Sequence, residues 1–417
     1  MKNFDAMIDK YAELIVKVGL NIQPGQRLSI NGKSVSRGVP LPGAPLVRAV
    51  AKYAYKAGAS LVDVLWDDTE TTLTRFKHAP RDSFGEYATW RTKGLAESGE
   101  RGGALMTVYA EDPGIFDSFD SEIVGLAQRR MIENLAPLSE MISANRFNWC
   151  LVAMPTPGWA QKVYPDLPAD EALEALFEAV FRFCRLDQED PVAAWEAHIA
   201  KLHARSQHLS KKQYTALKFT APGTDLTLGM PSGHIWESAR LASQPGVPYV
   251  ANLPTEENFS MGHRGIAEGT VRATMPLSYG GVVIDDFSLT FEEGRVVKVQ
   301  AGQGETTLQE IVDRDEGSSR VGEIALVPHS SPIAQSGQLF YNTLFDENAA
   351  CHIAIGRAYR TCLEGGETMS DEEFIATGGN VSLEHVDFMV GSDEMDIDGI
   401  TASGEAEAIM RNGEFTF

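Results

Sequence analysis

Three carboxylates and two imidazoles are the side chains of this sequence best suited to do chemistry. They are Glu257 in NLPTEENF, Glu323 in RVGEIALVPH, His352 in ACHIAIGRAY, and His385 and Asp387 in SLEHVDFMVG. Such a set can hold two divalent ions, and a pair of ions generates a hydroxide at neutral pH and polarises a carbonyl, the chemistry of peptide-bond hydrolysis. Each residue also has a plainer reading. Most of the nine histidines, His198, His203 and His208 among them, fall in a charged helical stretch and read as solvated surface. Glu323 could pair with Arg320.

The elements that must position these residues read as strands. Ser382 to Val390 is rich in β-branched and aromatic residues and is flanked by TGGN and GSDEMD, so it predicts a strand. His385 and Asp387 then project from one face, with Val386 and Phe388 on the other. Cys351 to Ile355 is a short apolar run ended by Gly356, which predicts a buried strand whose His352 must find a partner. Glu323 opens another apolar run, where an ionised carboxylate needs coordination or pairing. The Glu256-Glu257 doublet sits at a loop or strand end, where adjacent side chains diverge, so that Glu257 can bind metal while Glu256 acts as a base.

These stretches, together with YAELIVKVGLNIQPGQ near the N-terminus and GEIALVPHSSPIAQSGQLFYNTLFDENAACHIAIGRAY, resemble the aminopeptidase T and aminopeptidase S type of the M29 metallopeptidases from one end of the chain to the other. The resemblance implies metal ligands at Glu257, Glu323, His352, His385 and Asp387 and a functional tyrosine at Tyr359. It also implies a homodimer acting on peptides with a free N-terminus. The pattern departs at Phe259 to Arg264, FSMGHR, where Gly262 stands in place of the family's proline. In the expected mechanism Glu323, with Asp387, is suited to bridge two ions. Tyr359 would donate to the developing oxyanion, and Glu256 would carry the proton to the leaving amine. Oxygen and nitrogen ligands suit Zn, Co and Mn alike.

Composition fits that expectation. At 417 residues, two domains are the default, an N-terminal α/β domain with a mostly parallel sheet over 1–213 and a β-rich α+β metal-binding domain over 214–417. In the first, PLVRAVAKYAYKAGA reads as a helix, SLVDVLWDD as a strand, and RFNWCLVAMPTPGWA as a strand ended by a Pro/Gly turn. A charged helix from about Asp190 to Gln213 connects to hairpins such as FSLTFEEGRVVKVQAG. A net charge of −22 disfavours nucleic acid and anionic membrane as partners. No apolar run approaches the ~20 residues of a membrane span. Acidic and basic residues interrupt the N-terminus, so no signal peptide is expected, and Cys150, Cys184, Cys351 and Cys362 form no CxxC pair. A cytoplasmic protein with reduced, buried cysteines follows.

Other readings compete. EMDIDGITASGE spaces acidic residues like a calcium loop, although an acidic turn accounts for it. In AGQGETTLQEIV, Thr306 and Gln309 have the spacing of a capping box rather than a dinucleotide fingerprint. His352, His385 and Asp387 alone would make the two-His, one-carboxylate set of a ring-cleaving iron(II) dioxygenase. A silent metal- or peptide-binding protein is the third reading.

Overall fold

The computed structural model describes residues 3–279 and 282–417. The amphipathic N-terminal pattern forms a helix over Phe4–Leu14 that buries Ile8, Tyr11 and Leu14 and runs into a π-helical turn, Ile15–Gly19. Strands β1 (Arg27–Gly32), β2 (Leu61–Val64), β3 (Ala104–Tyr109) and β4 (Trp149–Ala153) follow. Helices Ala44–Lys56, Thr89–Glu100 and Ser121–Ser143 lie in their connections. Such crossovers return the chain to the same end of the sheet, so the strands pair in parallel. The sheet order is Asn252–Leu253, β4, β3, β1, β2. The N-terminal α/β expectation is met. One detail differs: the Pro/Gly segment after β4 is not a turn but the start of a helix, Pro157–Val163. Thr156 caps it by accepting from the Trp159 N–H, and Pro157 occupies the first helical position, where no N–H is needed.

The chain forms two compact units, Met1–His198 with Arg240–Pro254, and Ile199–Ala239 with Thr255–Phe417. Helix Pro191–Lys212 passes from one into the other. The returning segment brings a two-stranded ladder, Arg240–Ala242 with Pro248–Val250, and the edge strand Asn252–Leu253 to the first unit.

The second unit is β-rich. Its larger sheet has nine strands among the described residues, including the hairpins Ala216–Ala221 with Thr224–Gly229 and Val282–Glu292 with Arg295–Gln303. Its smaller sheet has four antiparallel strands in the order β5 (Asn258–Met261), β6 (Val321–Leu326), β7 (His352–Gly356) and β8 (His385–Met389). Ile324, Ile353, Ile355, Val386 and Phe388 of this sheet belong to the unit's apolar core.

Two local expectations resolve differently. Helix Glu305–Val312 starts behind Gly304, which has φ 77° and no side-chain cap, so Thr306 lies inside the helix rather than capping it. A reciprocal capping box does form, at Ser370 and Glu373 of helix Asp371–Ala376. The acidic stretch near the C-terminus is a strand, Asp396–Ile400, whose Asp398 is paired with Arg411. It is not a calcium loop, because an extended strand whose Asp398 is paired with Arg411 does not wrap its carboxylates around one ion.

Candidate metal centre

Register puts the five chemical side chains on one face of the small sheet. Glu323 of β6 pairs with Ala354 of β7, and Ala354 pairs with Asp387 of β8. Paired residues share a face, and residues two apart share it as well, which adds His352 and His385. On β5, Met261 pairs with Glu323, and the same alternation carried back through Phe259 reaches Glu257. The intervening positions Ile324, Ile353, Ile355, Val386 and Phe388 face the core. Burial of that apolar face therefore fixes the register that brings the polar set together.

The side chains converge. His352 Nε2 lies 3.2 Å from Glu257 Oε2, and His385 Nε2 lies 3.2 Å from Glu323 Oε2 and 3.4 Å from Asp387 Oδ1. Two trios have ligand atoms within 4.8 Å of one another, Glu257 with Glu323 and His352, and Glu323 with His385 and Asp387. Glu323 belongs to both. Its alternative partner is engaged elsewhere, since Arg320 Nε donates to Glu316 at 3.0 Å.

Each imidazole presents the nitrogen a metal would need. His352 Nδ1 is 3.1 Å from the Ala350 carbonyl and His385 Nδ1 is 2.7 Å from the Arg357 carbonyl. A carbonyl only accepts, so both Nδ1 atoms carry a proton and both Nε2 atoms face the carboxylates. Burial would lower the His352 imidazole, but its hydrogen bond to Glu257 and the charges of Glu257, Asp387 and Glu323 raise it to about 10. Burial likewise opposes protonation of His385, yet Tyr359, Asp387 and Glu323 hold it well above the usual histidine range. A site that draws protons onto two buried imidazoles is one in which cations offset crowded carboxylates, and divalent ions do so more fully. Asp387 Oδ1, shielded from solvent and without a hydrogen bond, is an oxygen with a coordination position to fill. The residues fit divalent ions.

A further carboxylate joins the set without having been singled out in the sequence. Burial and the negative charges of Glu257 and Asp387 push Glu347, in the short turn Glu347–Ala349, well above the usual carboxylate range. It belongs to the DEN segment that precedes β7. Tyr359 follows β7 and its ring lies 5.0 Å from His385 and 5.9 Å from Phe259. Attraction to His385 is outweighed by burial and by Glu323, Asp387 and Glu347, so its hydroxyl stays protonated at neutral pH. Glu256 does not enter either trio. Its backbone N–H donates to Asn348 Oδ1 at 2.7 Å, and its carboxylate acts on the charge of Arg205. At Gly262 a Cβ would lie 2.6 Å from Val321 Cγ1, so packing in this chain leaves no room for a side chain there.

The model of one protein family, described as thermophilic metalloprotease (M29), matches residues 4–415. The chain is 46% identical over 417 residues to aminopeptidase 2 of Geobacillus stearothermophilus, covering 100% of this chain and 99% of that one. It is 42% identical over 415 residues to aminopeptidase T of Thermus thermophilus, covering 100% of both. This chain belongs to the M29 metallopeptidases. The solved structure of wild-type AmpT from Thermus thermophilus superposes with a TM-score of 0.91 at 40% identity, covering 99% of this chain and 100% of that one. M29 membership makes the protein a hydrolase that uses divalent metal ions. The dioxygenase reading finds no support among these relatives. Geometry also disfavours it, since His352 and His385 fall in different trios rather than around one ion.

Proposed function

We propose that this M29 protein is an aminopeptidase that removes the N-terminal residue of peptides, with two divalent ions per chain held by Glu257, Glu323, His352, His385 and Asp387. The observation that carries this reading is Glu323, whose carboxylate serves both trios and is suited to bridge two ions. Zn, Co and Mn all suit this donor set. When bound, a pair of such ions supplies a hydroxide at neutral pH and polarises the scissile carbonyl.

The chain's own groups do the rest. His352 and His385, with their Nδ1 protons held by backbone carbonyls, keep their Nε2 atoms directed at the site. Tyr359 donates a hydrogen bond from its hydroxyl to the oxygen that becomes negative in the transition state. A carboxylate must also take the proton from the attacking water and pass it to the leaving amine. Glu256 has that role in this reading, and Glu347, whose carboxyl readily holds a proton, is the second candidate. The catalytic domain in this reading is 214–417, and the protein works as a homodimer in the cytoplasm. Four buried cysteines without disulfides accord with that compartment, and no helix among the described residues is long and apolar enough to cross a membrane.

Dialysis against a chelator followed by restoration of Zn, Co or Mn tests the reading, with leucine p-nitroanilide hydrolysis, melting temperature and bound metal measured together. Activity and stability should fall and return together, and metal should approach two ions per chain, one of them lost in Glu257→Gln. Full activity in demonstrably metal-free protein would end this proposal.

A further inference from the structure

The strand order of the first unit has a consequence away from the carboxylate and imidazole set. From β1 the chain moves to β2 on one side, then crosses to β3 on the other. Connections that diverge in this way open a crevice beyond the C-terminal ends of the two strands, the place where open parallel sheets bind ligands. In this sheet that switch point falls between β1 and β3.

The residues leaving these two strands are unusual. Asn31 at the end of β1 is fully buried and spans the seam. Oriented so that its amide nitrogen donates to Thr107 Oγ1 at 2.7 Å and to the Met106 carbonyl at 3.1 Å, its oxygen accepts from Arg37 Nη2 at 2.9 Å. The guanidinium is thereby fixed at the mouth of the seam. Arg37 is only 6% exposed, and its backbone has φ 58°, a conformation that a non-glycine residue adopts at a cost. Its Nε is buried and has no hydrogen-bond partner, and the same is true of Tyr87 Oη and of Glu111 Oε1, two residues past the end of β3. The three groups act on one another electrostatically: Arg37 with Glu111 and Tyr87, and Glu111 also with Lys33 and Asp67. No ion pair joins Arg37 to Glu111, although such a pair is what buried opposite charges ordinarily form.

The missing partners define a ligand. Arg37 Nε and Tyr87 Oη can donate to an anionic oxygen, while Glu111 Oε1 accepts from a donor. We propose that the crevice between β1 and β3 is a binding site for the zwitterionic head of a free α-amino acid, its carboxylate on Arg37 and Tyr87 and its ammonium on Glu111. A guanidinium and a carboxyl that act on each other electrostatically without pairing, at the switch point of the sheet, offer one group to a carboxylate and one to an ammonium. Ordered water would satisfy the same atoms but gives no reason for opposite charges to be kept from pairing. The choice of a free amino acid as natural ligand rests on the aminopeptidase reading, because that reaction releases one at each turnover.

Equilibrium dialysis of the metal-loaded, full-length protein against labelled L-leucine tests the site, comparing the parent with Arg37→Met, Tyr87→Phe and Glu111→Gln. Leucine can also meet the metal centre through its amine, so the result to read is the binding lost in these variants. Arg37→Met and Glu111→Gln should each weaken one class of leucine site on the order of 10- to 100-fold, the usual effect of losing a charge-assisted hydrogen bond, and Tyr87→Phe should weaken it less. Two half-analogues, 4-methylpentanoate and 3-methylbutylamine, should compete poorly for that class. Should Arg37→Met fail to fold, Tyr87→Phe and Glu111→Gln, which change a single polar group each, decide the matter. Leucine binding unchanged in the folded variants, or a leucine-soaked crystal with only ordered water at Arg37 Nε, would overturn the proposal. Leucine bound at this site by a protein that hydrolyses no peptide would instead strike the aminopeptidase reading alone.

Discussion

Ala354 pairs with Glu323 on one side and with Asp387 on the other, so a methyl group occupies the centre of the polar face between two candidate ligands. It is fully buried. A larger side chain at that register position would project into the space the carboxylates share. Ala354→Leu is expected to fold, at an overpacking cost of about 1–3 kcal/mol. Metal binding should weaken, and leucine p-nitroanilide turnover should fall on the order of 100-fold, as for a misplacement of about 1 Å. Elemental analysis with steady-state kinetics checks it. A variant with normal metal content and turnover would show that the face tolerates bulk and that the trios do not converge on shared ions.

Much of this face was legible in the sequence, and the reason is physical. Strand periodicity and apolar flanks isolate His352, Glu323, His385 and Asp387 as polar residues in runs that should be buried, and burial demands a partner. Glu347 was not legible, because it lies in the short turn Glu347–Ala349, directly after the helix Thr343–Asp346, where Asp346 and Glu347 look like solvated surface. Its burial arises from packing that is remote in sequence. The same limit hid the return of Arg240–Pro254 to the first unit, where Leu253 pairs with Val152, about a hundred positions away. Local pattern marks strands but does not choose their distant neighbours. Thr306 and Gln309 failed for a different reason: capping-box spacing also occurs inside helices, and here the helix begins one residue earlier at Glu305.

The proton carrier can be assigned by comparing Glu256→Gln with Glu347→Gln. The residue that shuttles the proton should lose on the order of 10²- to 10⁴-fold in kcat when its carboxyl becomes an amide, with metal content unchanged. A residue that completes the ligand set should instead lose metal. Asn348, which accepts from the Glu256 N–H and whose side-chain nitrogen donates to the Leu344 carbonyl, holds both segments, so neither substitution should move the backbone. If both variants keep parental kcat and metal content, neither carboxylate belongs to the mechanism.

Glu237 gives a pH dependence of stability separate from the metal centre. Burial, with a smaller contribution from Glu367, raises its carboxyl from 4.5 to about 7. Below the unfolded value both states hold the proton and the residue is neutral for stability. As pH rises from 4.5 towards 7 the unfolded chain releases its proton first, so the folded state loses stability, and the loss levels off above about 7. Glu237→Gln should therefore stabilise the protein by about 1–3 kcal/mol near pH 8, with most of that gain gone near pH 5. Denaturant titrations of both proteins at the two pH values measure this. An equal difference at both would mean that Glu237 ionises normally in the folded chain.

Tyr359 offers the clearest separation of a chemical role from a structural one. Its hydroxyl remains protonated at neutral pH because burial and the charges of Glu323, Asp387 and Glu347 outweigh its attraction to His385. It is thus a donor, and a donor aimed at charge that appears only in the transition state should affect kcat and leave KM nearly alone. Tyr359→Phe is expected to lower kcat on the order of 10²- to 10³-fold. The ring's neighbours, His385 at 5.0 Å and Phe259 at 5.9 Å, still have a phenyl group to pack against, so melting temperature and metal content should stay near the parent values. A tyrosine that merely fills the site predicts the reverse, with stability reduced and kcat of the folded fraction intact. Measuring all three on one preparation decides between them, and a kcat within about threefold of the parent, far below the expected effect, would remove Tyr359 from the mechanism.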